Sequence, residues 1–122
     1  MEQQLEAASL AFQKLQKDLT KAVETRQRLD SQLQENELVE KEFQSLGEDA
    51  NIYKLIGPVL VKQEREEAKT NVENRLRLIR EEIARVEKQL TDLTEKSKQK
   101  QGEVSVYLRS TDTEKTEMYA LH

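Results

Sequence analysis

The sequence has few of the residues that cross-link a chain, bend it or bind metals. Its 122 residues include no cysteine, no tryptophan, one proline, three glycines and one histidine. The lack of cysteine excludes a disulfide framework, a zinc site with thiolate ligands and a thiol nucleophile. The single histidine is His122, which gives little basis for a Ser/His/Asp triad or a histidine-ligated metal site. We therefore expect a protein that is not an enzyme and that carries no cofactor and no metal.

Long apolar runs and one-signed charge blocks are also missing. The longest nearly apolar run, 55–61, is far shorter than the roughly 20 residues of a membrane helix. The first four residues are polar and acidic, whereas a secretion signal begins basic and continues apolar. The net charge of −4 is spread over interspersed signs, which disfavours nucleic acid as a partner. The scattered glycines form no phosphate-binding loop. We therefore expect a cytoplasmic protein that binds other proteins, without membrane or nucleic acid as a partner.

What is abundant points to long helices. Charged residues make up 36% of the chain and hydrophobic residues 35%, which is too polar for a thick core. Two segments repeat apolar residues at alternating spacings of three and four, the pattern of a coiled-coil seam. The first seam is Leu5, Ala8, Phe12, Leu15, Leu19, Ala22, Arg26, Leu29, Leu33, Asn36, Glu40 and Phe43. The second seam is Val72, Leu76, Ile79, Ile83, Val86, Leu90 and Leu93.

Polar residues interrupt the first seam at Arg26, Asn36 and Glu40, where they cost stability and can fix the register. Around Asn36 the apolar stripe moves to Leu38 and Val39. We therefore expect the packing of the first helix to change locally at that point.

The segment between the two seams has the pattern of a β hairpin. Gly47 is placed to end the first helix as its C′ glycine. After a loop, the runs 52–56 and 59–62 are rich in β-branched and aromatic residues, and Gly57-Pro58 separates them. Fewer than twenty residues join the two helices, so the helices must run antiparallel.

These elements predict a mostly α fold with a long antiparallel two-helix coiled coil and a β hairpin at its closed end. We expect a single domain over 1–122. It comprises a first helix over 2–46, a loop and hairpin over 47–63, a second helix over 64–109 and a flexible tail over 110–122.

The hairpin is apolar on both faces, and an isolated two-stranded hairpin is marginally stable in water. Its exposed edges invite another strand. We therefore expect it to join hairpins of other chains in an inter-subunit β barrel; the alternative is a hairpin packed only on its own helix ends. The residues assigned to assembly are Ile52, Tyr53, Leu55, Ile56, Val59, Leu60 and Val61.

The central residues resemble those of a known family. The run IYKLIGPVLVKQE at 52–64, with 38–43 before it and the pairs at 67–68, 71–72 and 75–76 after it, resembles the β-class prefoldin subunits. The likeness extends over about 12–93. It implies a heterohexamer of α- and β-class subunits that works without ATP. The implied partners are other prefoldin subunits, unfolded or nascent clients such as actin and tubulin, and the cytosolic group II chaperonin.

The helix ends remote from the hairpin are the expected client-binding region. A helix pair opens at such ends, and apolar residues outside the seam add surface that the pair cannot bury. The alternative is an ordinary seam with scattered exposed apolar residues, as in a structural coiled-coil adaptor or tether without client binding. The tip residues are Leu5, Leu10, Phe12, Val104, Val106, Tyr107 and Leu108.

Overall fold

A computed structural model describes residues 2–47 and 50–120, with side chains described up to residue 110. Helix α1 spans Glu2–Ser45, strand β1 Ile52–Ile56, strand β2 Val59–Gln63 and helix α2 Arg65–Ala120. The strands form one two-stranded antiparallel sheet. Two long helices around a central hairpin confirm the predicted mostly α fold. The predicted loop around residues 48–49 and the last two residues lie outside the described part.

The predicted seam of α2 is confirmed by burial. Val72, Leu76, Ile79, Ile83 and Val86 are buried, and Leu76 is the most enclosed, with 1% of its surface exposed. The same spacing continues through half-buried residues at positions 90, 93, 100, 104 and 107, with buried Ser97 among them. The seam therefore continues past its apolar stretch and includes polar side chains.

The predicted seam of α1 is also confirmed, but the expected shift of its stripe is wrong. Every position of the predicted seam is buried or half-buried, including the polar residues Arg26, Asn36 and Glu40. Leu38 and Val39 are exposed instead. The helix therefore keeps one face toward its partner, because leaving the 3-4 repeat would turn its neighbouring seam residues away as well.

The chain divides into two compact units. One unit joins Met1–Thr25 with Val86–His122, and in it the amide of Gln16 donates to the hydroxyl of Ser97, Nε2 to Oγ, at 2.6 Å. The other unit is Arg26–Arg85, which contains the hairpin. In it Arg80 on α2 and Glu37 on α1 form an ion pair at 3.5 Å. Within this second unit Arg65 contacts Phe43 and Arg80 contacts Glu37, so the residue number rises on α2 as it falls on α1, as antiparallel pairing requires.

Helix α2 continues beyond its predicted end. The prediction ended the helix at Arg109 and made 110–122 a flexible tail, whereas the structure is helical through Ala120. No proline or glycine occurs after Gly102, and Glu114, Lys115 and Met118 are good helix formers. The polar composition of the segment was therefore a poor guide to its backbone.

Candidate assembly and binding surfaces

A tight turn shapes the hairpin. Ile56 pairs with Val59, so the loop consists of Gly57 and Pro58 alone. Gly57 has a φ of +58°, and the ring of Pro58 fixes its own φ near −65°. A positive first φ followed by a negative second one is the signature of a type II′ turn, whose twist matches that of the strands. The Gly-Pro pair between the two strands predicted a turn, and the positive φ of Gly57 identifies its type.

Both faces of the hairpin carry exposed apolar side chains. Cross-strand partners share a face and successive residues alternate, so the two faces can be read from the register. The exposed fraction ranges from 44% for Val61 to 67% for Leu55. Ile52 is half-buried. One face presents Ile52, Ile56, Val59 and Val61, and the other presents Tyr53, Leu55 and Leu60.

Both strands of the sheet also have an open edge. In a hairpin with a two-residue loop, the flanking pair is hydrogen-bonded, and bonded and non-bonded pairs then alternate. Leu55 and Leu60 form a non-bonded pair, so their backbone N–H and C=O groups point away from the sheet. The next such pair is Tyr53 with Lys62. The hairpin thus offers unpaired backbone groups on both sides and apolar side chains on both faces.

A single arginine caps the C-terminal end of α1, the helix that precedes the hairpin. The guanidinium of Arg65 donates to the carbonyl oxygens of Gly47 and Leu46, both at 2.9 Å, and of Phe43 at 3.3 Å. Gly47 was predicted to end α1 as a C′ glycine, but its φ is not positive. Arg65 thus caps carbonyls at the end of α1 in addition to the backbone bonds that Phe43 and Gly47 accept from Leu46 and Ala50. The positive charge also suits the negative end of the helix dipole.

The tip residues fall into two groups. Leu5, Phe12, Val104 and Tyr107 are half-buried at seam positions, whereas Leu10, Val106 and Leu108 are exposed. Val106 and Leu108 are separated by about 200° around α2, so they do not form one patch. The first group therefore lies on the seam faces of the two helices, and the second group lies on different sides of them.

A shallow groove lies among the seam residues of the tip. Its lining includes Ala7 and Ala8 on α1 and Tyr107 on α2. Lys100 and Glu103, which also line it, form an ion pair at 3.0 Å. Small side chains at this level of α1 leave the groove open, and its volume is about 230 Å³.

A group of apolar side chains is exposed at the C-terminal end of α1, and it includes two residues, Leu38 and Val39, that were predicted to face the partner helix. We define the basal strip as Leu38, Val39 and Leu46, whose exposed fractions are 61%, 36% and 38%. Val39 and Leu46 are seven residues apart and share one face of the helix, with Leu38 adjoining Val39. The backbone N–H of Leu46 bonds to the carbonyl of Glu42 at 3.1 Å, so Leu46 extends the last turn. The deviation of Leu38 and Val39 from the 3-4 spacing was the available signal for their exposure.

Within the described residues, no group of three or more His, Cys, Asp or Glu side chains is placed to hold a metal ion. Across the same described part of the chain, neither helix combines the length and the apolar character that crossing a membrane requires.

Comparisons with known proteins agree on one family. A family model described as "Prefoldin subunit" matches residues 6–110. Prefoldin subunit 6 of Saccharomyces cerevisiae is 44% identical over 93 residues, covering 76% of this chain and 82% of the yeast protein. Prefoldin subunit 6 of Homo sapiens is 49% identical over 88 residues, covering 72% and 68%. The crystal structure of the prefoldin beta subunit from Thermococcus strain KS-1 superposes with a TM-score of 0.79 at 25% identity, covering 87% of this chain and 93% of that one.

Proposed function

The chain belongs to the prefoldin subunit family, and from that premise we propose that it captures unfolded polypeptides as one subunit of a heterohexameric co-chaperone. In this proposal the complex works in the cytoplasm without ATP. It holds nascent or unfolded clients, among them actin and tubulin, and passes them to the group II chaperonin. Its companions in the complex are other α- and β-class prefoldin subunits.

The observation that carries this proposal is the hairpin with two exposed apolar faces. An apolar strand pair with two free edges is unfavourable in water, and strands from neighbouring chains would pair with its backbone and cover its faces. A plain coiled-coil tether has no use for such a hairpin between its helices. This contrast favours a multi-subunit platform over the adaptor alternative.

Assembly through the hairpin can be tested with one charge on each face. We expect Leu55→Asp with Val61→Asp to prevent incorporation into the complex, because burying an unpaired carboxylate costs several kcal/mol. The matched control is Lys54→Asp with Lys62→Asp, which also adds acidic residues to β1 and β2, but at positions that already carry charge. Size-exclusion chromatography of the chain coexpressed with its partner subunits gives the readout. Normal hexamer elution of the Leu55/Val61 variant would contradict assembly through the hairpin.

Client capture is assigned to the exposed tip residues Leu10, Val106 and Leu108. Unfolded polypeptides expose apolar side chains, which gain about 25 cal/mol for each Å² removed from water. Each helix pair offers only a few such residues, on different sides, so a single subunit would bind weakly. Several subunits on one platform would act together, because the second contact becomes intramolecular.

The tip proposal is tested by replacing Leu10, Val106 and Leu108 with Ser in the assembled complex. We expect normal assembly and a partial loss of the ability to suppress aggregation of a denatured test protein, since other subunits still supply tips. The assay is repeated at high salt, which screens ionic contacts to lysines such as Lys96 and Lys98 but leaves apolar contacts intact. Full activity of the variant at low salt, with loss of activity at high salt, would replace the apolar mechanism by an electrostatic one. A wild-type complex that assembles but never suppresses aggregation would favour the adaptor alternative.

A further inference from the structure

The hairpin alone offers too little apolar surface to form interfaces with two neighbouring subunits. Each half-exposed aliphatic side chain presents roughly 100 Å². The exposed hairpin residues together offer roughly 600 Å², and the two open edges divide this area between two partners. A specific interface buries about 800 Å² on each partner, of which somewhat more than half, about 450 Å², is apolar. The contact between subunits therefore needs further apolar surface close to the hairpin.

The basal strip lies where that surface is needed. Leu46 directly follows α1, and five residues separate it from Ile52, the first residue of β1. The bond from Arg65 to the Leu46 carbonyl, at 2.9 Å, fixes this residue against the start of α2. The strip is thus a fixed surface in the same compact unit as the hairpin.

The strip also differs from the rest of the outer face of α1. Positions on the same side of the preceding turns carry Arg28, Gln32 and Glu35, all of them exposed. Exposed apolar residues in a cluster on an otherwise polar helix face indicate a contact surface. Leu38 and Val39 do not belong to the seam between the helices, because Asn36 and Glu40 occupy the seam positions at this level.

We propose that the basal strip, Leu38, Val39 and Leu46, is covered by the neighbouring prefoldin subunit that pairs with the hairpin edge. The contact between subunits then continues from the hairpin onto the C-terminal end of α1. This inference rests on the proposed assembly through the hairpin. The occupant is another prefoldin subunit, and neither a client nor the chaperonin takes this surface.

The absence of cysteine allows a direct test of coverage. Leu38→Cys introduces a single thiol into the strip, and Leu78→Cys introduces one at a site of matched exposure, 57% against 61%. Each variant is alkylated as the free chain and in the complex, and the modified chain is identified by mass. We expect alkylation at position 38 to slow at least tenfold on assembly and at position 78 to change less than twofold. Equal protection at both positions, or protection at neither, overturns the proposal.

A second measurement asks whether the strip contributes to affinity. Leu38→Gln with Val39→Gln removes apolar surface but keeps good helix formers, and Val23→Gln with Leu78→Gln is the matched control. We expect the first pair to raise the concentration for half-assembly at least tenfold, measured by native mass spectrometry on dilution, and the control pair to change it less than twofold. If the Gln pair lowers helicity by circular dichroism, the pair Leu38→Ala with Val39→Ala replaces it.

The outcomes separate the two proposals. If Leu55→Asp with Val61→Asp prevents assembly while the strip variants leave the half-assembly concentration within twofold of wild type, the basal strip is not an interface and the hairpin proposal stands. If the hairpin variant itself assembles normally, the proposed mode of assembly is wrong, whatever the strip variants show.

Discussion

Leu76 is the residue at which the seam can be tested most sharply. It is the largest fully enclosed side chain among the described residues, with 1% of its surface exposed. Leu-to-Ala substitutions in protein cores cost about 2–5 kcal/mol, and the cost rises with the cavity that remains. A two-helix seam is open on its flanks and can partly close around a lost side chain. We therefore expect Leu76→Ala to lower the free energy of unfolding by about 2–3 kcal/mol, in the lower part of that range.

Leu78→Ala is the matched control for this prediction. The substitution is the same and the helix is the same, but 57% of Leu78 is exposed. Its effect should stay within about 0.5 kcal/mol, as for surface substitutions generally. Urea unfolding of the full chain, followed by far-UV circular dichroism, gives both values. For a chain of this size, the Leu76 variant should also melt about 10 °C lower.

Two results would refute the seam argument. Equal destabilisation by Leu76→Ala and Leu78→Ala would mean that Leu76 is no better buried than Leu78 in solution, because Ala is at least as good a helix former as Leu and propensity cannot cause the loss. A change below about 0.5 kcal/mol for Leu76→Ala would mean that the two helices do not pack along the seam in solution.

Two further predictions concern the hairpin and its connection to α1. Gly57→Ala should destabilise the hairpin by about 1–2 kcal/mol, because any side chain is disfavoured at a φ of +58°, and coexpressed complex should dissociate at lower urea. Arg65→Ala should cost about 1 kcal/mol of unfolding free energy, since three carbonyl bonds are lost at a partly solvated site, and Arg65→Lys should recover part of it. Urea titrations of the free chain measure the stability of both Arg65 variants. Equal stability of Arg65→Ala and wild type would show that water bonds the carbonyls as well as the arginine does.

The seam could be predicted from the sequence because its signal is periodic. A 3-4 repeat fixes which residues face a partner even where the side chain is polar, and Arg26 is half-buried although its chemistry alone would place it in solvent. The hairpin could be predicted for a similar reason, since a Gly-Pro pair between two β-branched runs allows few other structures. Periodicity and turn chemistry act locally, so a single sequence contains them.

Where the prediction was wrong, the local structure is decided by contacts with residues distant in sequence. Leu38 and Val39 compete with Asn36 and Glu40 for the seam, and only the position of α2 decides between the two stripes. Gly47 has the chemistry of a C′ residue, but its φ is not positive, and Arg65, eighteen positions later, bonds carbonyls at the end of the helix. Local propensity cannot anticipate a cap that comes from another element.

The distribution of apolar residues connects the fold to its assembly. The buried seam includes Ala8, Ala22 and Ala68, which remove little apolar area from water when they pack. Larger side chains such as Leu55 and Leu60 are among the most exposed large hydrophobic side chains of the described residues. A single chain therefore gains little from burial, and much of its apolar surface can be buried only by another chain. Because partners that bind only the folded state stabilise it by mass action, the stability of this subunit should rise when its partner subunits are added.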